Sequence, residues 1–446
     1  MTQVSPVPPL GVRENFILDD RIRGVPPGTA GLDSSLVGQQ GWHPADGAMS
    51  LPMLTLDEAA FAANRDLFLR YAKEQGVAVA PHAKTPMAPD LARSLVEAGA
   101  WGTTVADVRQ ASVMLKAGLS RLILANEVGG AGGAKRLAVL AGAWPEAELF
   151  AFADSVAAVN ALAGAWRADA ALAPLRVLVE LGAGRAGARS VAEAEAIADA
   201  VTASGGRLLI AGVGTYEGAA AQPDTARTDA AVAGLLAMAA DVFLRLRARL
   251  GGEAPLIVTA GGSVFFDRVV ADLSPVVSGD GKATLVLRSG AIFFHDHGTY
   301  DRSLGSLDAR HGFAIGGEAA SARQLFRPAL RLWAEVLSRP EPGLAICGMG
   351  MRDVSFDQGF PTPVAVYRAG QRLSDARPDA KVIKLNDQHA FLSLEALSQE
   401  AGSELAVGDV IEFGISHPCT CLDRYRVIFG VDATGHVRHA FPTFFG

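Results

Sequence analysis

Three groups of residues in this 446-residue chain have types and spacing suited to chemistry. The first is a lysine. The run VAVAPHAKT, residues 77–85, places Lys84 just past a short apolar, β-prone stretch. Burial at such a place disfavours the charged ammonium and lowers its pKa. An uncharged lysine amine is the usual partner of a carbonyl, that of pyridoxal phosphate included. Position alone leaves a solvated loop lysine equally open. The second group is a pair of glycine motifs, Thr259-Ala-Gly261-Gly262-Ser263 and Arg288-Ser-Gly290-Ala291, each following a β-prone run. Backbone N–H groups beside a hydroxyl make an anion-binding concavity. One such motif is an ordinary turn. Two in succession match the place where many parallel barrels hold phosphate. A lysine at the first strand facing a phosphate cup at the last two is the layout pyridoxal phosphate needs.

The third group is Gly414-Ile-Ser-His417-Pro-Cys419-Thr-Cys421. Read as an extended segment stiffened by Pro418, it puts His417 and Cys419 on one side. A thiolate with an imidazole favours zinc over magnesium or manganese, and two ligands leave positions open for water or substrate. A buried cysteine beside an unrelated histidine is the alternative, and Cys421 is a candidate third ligand. His295-Asp296-His297 also alternates and reads as a polar rim of a barrel mouth rather than a second metal cluster. His389 reads as a hydrogen-bonding turn residue and Cys347 as ordinary packing.

These residues need a frame that brings distant loops together. Eight short β-prone runs recur at Val77–Ala80, Gly102–Val105, Arg121–Ala125, Leu149–Phe152, Arg176–Glu180, Leu208–Val213, Leu256–Thr259 and Thr284–Leu287, with Ala/Leu-rich helical stretches between them. Such alternation implies right-handed crossovers and a parallel sheet, and eight units fit a closed (β/α)8 barrel of the TIM type. An open doubly wound sheet is the rival. It would ask for a G-x-G-x-x-G after the first strand, where this chain has prolines and Lys84. Barrel chemistry gathers at the C-terminal strand ends, where Lys84, Asn126, the Gly182–Gly187 loop with Arg185, Tyr216, Ser263 and Arg288 all fall. A helix is expected over 54–76, with Asp57 and Glu58 in its first turn and a stop at Gly76. Past about 306 the pattern turns to short strands and hairpins, VDATGHV among them. The fold class is therefore α/β, an N-terminal (β/α)8 barrel plus a C-terminal mostly-β domain. We divide it as 1–50, an irregular arm available to the β domain; 51–305, the barrel; and 306–446, the β domain.

Composition excludes much. The net charge of −7 offers no basic excess for nucleic acid. Three cysteines cannot build a disulfide framework, so a reducing, cytoplasmic setting is expected. No signal peptide or membrane-length apolar run is visible. The 49 glycines exceed the roughly 7% average and cluster after apolar runs.

Pro81-His82-Ala-Lys84-Thr85, Gly102-Thr-Thr-Val-Ala-Asp107, Leu-Ala-Asn126-Glu127, Thr259–Ser263, Leu287-Arg288-Ser-Gly290 and Ser416-His417-Pro-Cys419 together resemble the fold-type III, alanine-racemase-like pyridoxal-phosphate enzymes. The likeness runs from about Leu51 to Arg438 and is nearest the D-serine dehydratase and D-threonine aldolase branch. It implies Lys84 as the Schiff-base lysine, Arg185 near the cofactor's phenolic oxygen, and Tyr216 beside its ring. Gly262, Ser263, Gly290 and Ala291 then form the phosphate cup, and Arg288 faces the pyridine nitrogen. His417 and Cys419 become ligands of a divalent metal, zinc by donor type. The resemblance further implies a homodimer and elimination from a D-β-hydroxy amino acid to a 2-oxo acid and ammonia, with aldol cleavage to glycine and an aldehyde as the alternative. Aldolases of the branch often carry a carboxylate at the second ligand position, so Cys419 favours elimination. Ile292 replaces a tyrosine, and Asp387-Gln388-His389 replaces a more acidic triplet expected at the substrate pocket. Insertions at 302–325 and 368–385 are expected to reshape the entrance.

Overall fold

The fold was obtained as a computed structural model, which describes residues 10–12, 14–375, 380–394 and 405–446. Eight parallel strands form its first part: Ala78–Val79, Thr103–Val105, Arg121–Leu124, Glu148–Ala153, Leu175–Leu181, Leu208–Thr215, Ile257–Ala260 and Thr284–Leu287. From the second onward each pairs with the next in sequence, and the eighth pairs with the first. The ring closes between the first and second, where Trp101 N donates to Val79 O (2.7 Å) and Thr104 N to Pro81 O (2.9 Å). All eight coincide with the runs read from sequence. The strands are short because only their middles face other strands on both sides, and the loops beyond them carry the polar residues.

Ile123, Phe150, Phe152, Leu178, Ile257 and Val286 fill the barrel interior, while a second apolar layer seals the strands against the outer helices. Four of those helices start at a side-chain cap. Asp107, Ser155, Ser190 and Asp224 each accept a backbone N–H of the first turn.

The second part is an antiparallel sheet built on the long strand Leu330–Glu341, which pairs with Val410–Gly414 on one side. Its other neighbour is Met53–Asp57, from the far end of the chain. This corrects the helix expected from residue 54. The helix runs Glu58–Glu74 with Asp57 as its cap, and the four residues before Asp57 are buried on both faces of a strand, a pattern helical periodicity does not distinguish. The start of the 51–305 segment is thus built into the other sheet. Trp333 Nε1 donates to Thr55 Oγ1 (2.9 Å), and the arm packs Leu18, Val25, Val37 and Met49 against Trp333, Val410 and Phe429.

No residue of the insertion 302–325 lines the cavity at the strand ends. It forms a helix, a two-strand hairpin and a short helix, and Gly316 N donates to Glu74 Oε2 (2.6 Å) on the first barrel helix. Part of the second insertion, 376–379, lies outside the described residues. Among the described residues no helix is long and apolar enough to cross a membrane.

One glycine holds the barrel to its register. The pairing of the fifth and sixth strands shifts by a residue at Leu178, and the extra residue is absorbed next to Gly212, whose φ is +137°. A Cβ there would overlap the Ile257 carbonyl of the seventh strand. Gly212→Ala is expected to cost about 3 kcal/mol, read as a lowered urea midpoint, because both the torsion and the space oppose it.

Candidate active site

The C-terminal ends of the barrel strands open into a cavity of about 400 Å³. All ten residues read from sequence as site candidates line it: Lys84, Arg185, Tyr216, Gly262, Ser263, Arg288, Gly290, Ala291, His417 and Cys419.

Lys84 stands open to this cavity. The surrounding protein desolvates its ammonium and lowers its pKa; the Arg185 and Arg288 charges push the same way, and Cys419 opposes them. His82, two residues earlier, accepts weakly from Lys84 N (3.4 Å) and is held well below the usual histidine range by burial. Arg288 is buried and fixed, with Nη1 on Thr259 Oγ1 (2.8 Å), Nη2 on Thr215 O (2.6 Å) and its carbon 5.3 Å above the Phe152 ring. Arg185 lies 5.3 Å over the Tyr216 ring. Its loop folds back on itself: Gly182 N donates to Ala188 O (3.1 Å), and a Cβ at Gly182 would overlap Ala186 O.

The two glycine motifs are stitched together. Ser263 Oγ accepts from Ile292 N (3.2 Å), and Ser289 Oγ donates to Gly262 O (2.9 Å). Ile292 itself is buried and offers only this backbone bond. The geometry narrows the cup expected here. Buried Glu217 takes the N–H groups of Gly261 (3.0 Å) and Gly262 (2.8 Å), which leaves Ser263, Gly290 and Ala291 as the donors facing the cavity. Space is tight at both glycines: a Cβ would overlap the His82 carbonyl at Gly290 (2.5 Å) and press on the Tyr216 ring at Gly262 (2.9 Å).

His417 and Cys419 come from the β domain and face Lys84 across the cavity. Their segment is not extended, as the spacing suggested. Pro418 adopts helical torsions and opens a short helix, Cys419–Leu422. That helix turns Cys421 into the core, where burial pushes its thiol up to about 12, so Cys421 does not join the pair. His417 Nδ1 meets Asp357 Oδ2 (2.6 Å), and Thr420 Oγ1 donates to Asp357 Oδ1 (2.7 Å). Burial works against a charge on His417, but Cys419 and Asp357 outweigh it and raise its pKa to about 9. Thr85, beside Lys84, lies 3.3 Å from Cys419 Sγ. Among the described residues no three His, Cys, Asp or Glu side chains converge as a complete metal cluster.

Sequence reasoning missed Asp357, Glu217 and Tyr300. Tyr300 lines the cavity, with its ring 6.5 Å from His417, and opens the helix that follows the His295–His297 segment. That segment is not a rim. His295 and Asp296 are 1% exposed and His297 is packed against Gly414, because the segment is the hinge where barrel meets β domain. Asp387–His389 form an exposed hairpin turn away from the cavity, so the altered triplet does not shape the pocket of this chain. Cys347 is buried and its thiol is pushed up to about 12, as packing would have it.

The Glu217 tie makes a test of the cup. Glu217→Ala leaves two buried N–H groups without an acceptor and is expected to cost about 2–4 kcal/mol in urea unfolding.

Comparison with known proteins agrees with this architecture. Residues 56–263 match the family model "Alanine racemase, N-terminal domain", and residues 329–431 match "Putative serine dehydratase domain". A D-threonine aldolase of Arthrobacter sp. is 26% identical over 348 residues, 78% of this chain and 81% of that protein. A 3-hydroxy-D-aspartate aldolase of Paracoccus denitrificans is 26% identical over 356 residues, 76% of this chain and 79% of that protein. Among solved structures, a D-threonine aldolase from Filomicrobium marinum superposes with a TM-score of 0.71 at 25% identity, over 89% of this chain and 95% of that one. A D-threo-3-hydroxyaspartate dehydratase from Delftia sp. HT23 shares the fold, with a TM-score of 0.66 at 21% identity over 89% of this chain and 98% of that one. With the barrel, the β domain and the lysine-centred cavity all in place, the chain belongs to the alanine-racemase-like, fold-type III family of pyridoxal-phosphate enzymes.

Proposed function

We propose that the protein is a pyridoxal-phosphate-dependent lyase acting on a D-β-hydroxy amino acid, with β-elimination to a 2-oxo acid and ammonia as its reaction. The observation that carries this reading is the meeting of Lys84 with the His417–Cys419 pair across one cavity. The residues fit the cofactor by their chemistry. Lys84 has an amine whose pKa is lowered, Ser263, Gly290 and Ala291 line an anion cup with no room for a side chain at Gly290, and Arg185 and Arg288 supply positive charge beside it. When bound, pyridoxal phosphate supplies a carbonyl for an amine and an electron sink for charge left at Cα.

The chain's own residues do the rest. Lys84 Nζ, its pKa lowered by burial, is the group that accepts a proton from Cα on its face of the cavity. Arg288 is held by Thr259 and Thr215, so its charge is preorganised and does not relax during the reaction. A divalent metal, zinc by the donor set, would be held by His417 and Cys419 and would supply Lewis-acid stabilisation to a departing hydroxyl. Asp357 fixes the His417 ring through Nδ1, which leaves Nε2 for a ligand. Keeping Cys419 reduced suits the cytoplasm. We read the protein as a homodimer, the assembly the family resemblance implies. Phe356 and Phe360, exposed on either side of Asp357, offer apolar surface to a second copy.

A second reading is aldol cleavage to glycine and an aldehyde. It is favoured by the likeness to a D-threonine aldolase and a 3-hydroxy-D-aspartate aldolase over three quarters of the chain. Incubation with D-threonine separates the two. 2-Oxobutyrate and ammonia are expected, glycine and acetaldehyde would establish the second reading, and neither product from D-threonine, D-serine or their L-forms would refute both. Chelation should abolish turnover and zinc restore it; full turnover after verified metal removal would refute the metal's role. Lys84→Ala should lower kcat by at least about 10³-fold, since both the carbonyl partner and the Cα base are lost.

A further inference from the structure

A pair of acids lies beneath the cavity, and the mechanism above does not use it. Glu180 is the last but one residue of the fifth strand, two residues past Leu178 in the inward-facing row, and it is 2% exposed. Glu127 follows the third strand, next to cavity-lining Asn126. The two carboxyl groups meet inside the barrel mouth. Among the described residues, buried Glu180 Oε2 and buried Glu127 Oε1 have no hydrogen-bond donor from the protein. Ionised carboxylates only accept. Two of them whose buried oxygens face one another without a donor repel, and one proton between them removes the repulsion and supplies the missing donor. The charged groups facing the pair are Arg185, from the loop after the fifth strand, and Arg288, from the end of the eighth.

We infer that Glu127 and Glu180 share one proton, and that this one-proton pair, a monoanion in place of a dianion, sets how strongly Arg185 and Arg288 attract an anionic ligand into the cavity. The second half of this inference rests on the cavity being the pyridoxal-phosphate site. Burial first, then Glu127, lifts Glu180 to about 9, so the proton stays through neutral pH. Above that value a second negative charge appears next to both arginines and opposes the binding of an anion. The pair is thus an electrostatic support for the cup and touches neither substrate nor cofactor.

Infrared difference spectra of the whole protein between about pH 7 and about pH 10 read the proton directly, without cofactor. A carboxylic-acid carbonyl band that disappears on raising the pH is expected. It should be absent from Glu180→Gln, and in Glu127→Gln it should vanish at a lower pH. No titrating band in the wild type, a band that survives in Glu180→Gln, or an unchanged midpoint in Glu127→Gln overturns the shared proton. Pyridoxal-phosphate affinity over the same range tests the consequence. The wild type should lose about tenfold more affinity than Glu180→Gln, the worth of one pK unit of coupling. Parallel profiles overturn the electrostatic link. An intact titrating band in a protein that binds no pyridoxal phosphate supports the shared proton and overturns the reading of the cavity. Glutamine matches glutamate in shape, and the wild-type titration stands even if a variant fails to fold.

Discussion

Two backbone hydrogen bonds fix the chemistry of the barrel relative to that of the β domain: His297 N to Ile415 O and Thr299 N to Ser416 O, each 3.0 Å. They join the segment leaving the eighth barrel strand to the segment entering His417. Everything the cavity can do depends on that joint, because Lys84 belongs to one domain and the His417–Cys419 pair to the other. The joint is tightly packed. His297 packs against Gly414, where a Cβ would overlap its ring, and Asp296 Oδ1 caps the following helix through Gly298 N (2.7 Å) and Tyr300 N (3.0 Å). The strand Met53–Asp57 adds a second tether, since it enters the β sheet immediately before the first barrel helix. Sub-ångström drift between domains is therefore opposed from both ends of the barrel sequence.

Within that frame, desolvation is the force that gives the residues their character. It biases Lys84 toward the uncharged amine, holds His82 neutral and keeps a proton on the acid pair. Where burial is opposed by a partner the outcome reverses, as at His417, whose neighbours Cys419 and Asp357 overcome it.

Much of this was legible in the sequence, for identifiable reasons. The eight strands stood out because the short β-prone runs alternate with helical stretches, several of which begin at a capping residue such as Asp107 or Ser190. Lys84, Ser263 and Arg288 stood out because strand ends concentrate barrel chemistry and glycines mark close approaches. What could not be read depended on contacts between distant segments. Asp357 lies sixty residues from the histidine it orients. Glu217 is in no motif, yet it occupies the N–H groups assigned to the phosphate cup. Met53–Asp57 looked helical because its residues are buried on both faces, and Cys421 looked like a ligand because Pro418 suggested extension where it begins a helix.

The claim on which the account turns is that Lys84 is the amine that takes up pyridoxal phosphate in this cavity. Borohydride reduction of the protein loaded with pyridoxal phosphate, followed by peptide mass spectrometry, measures it most directly. The account predicts one stable cofactor adduct, on the peptide bearing Lys84 and on no other. An adduct on a different lysine, or no adduct in a protein that nonetheless turns over D-threonine, would contradict it.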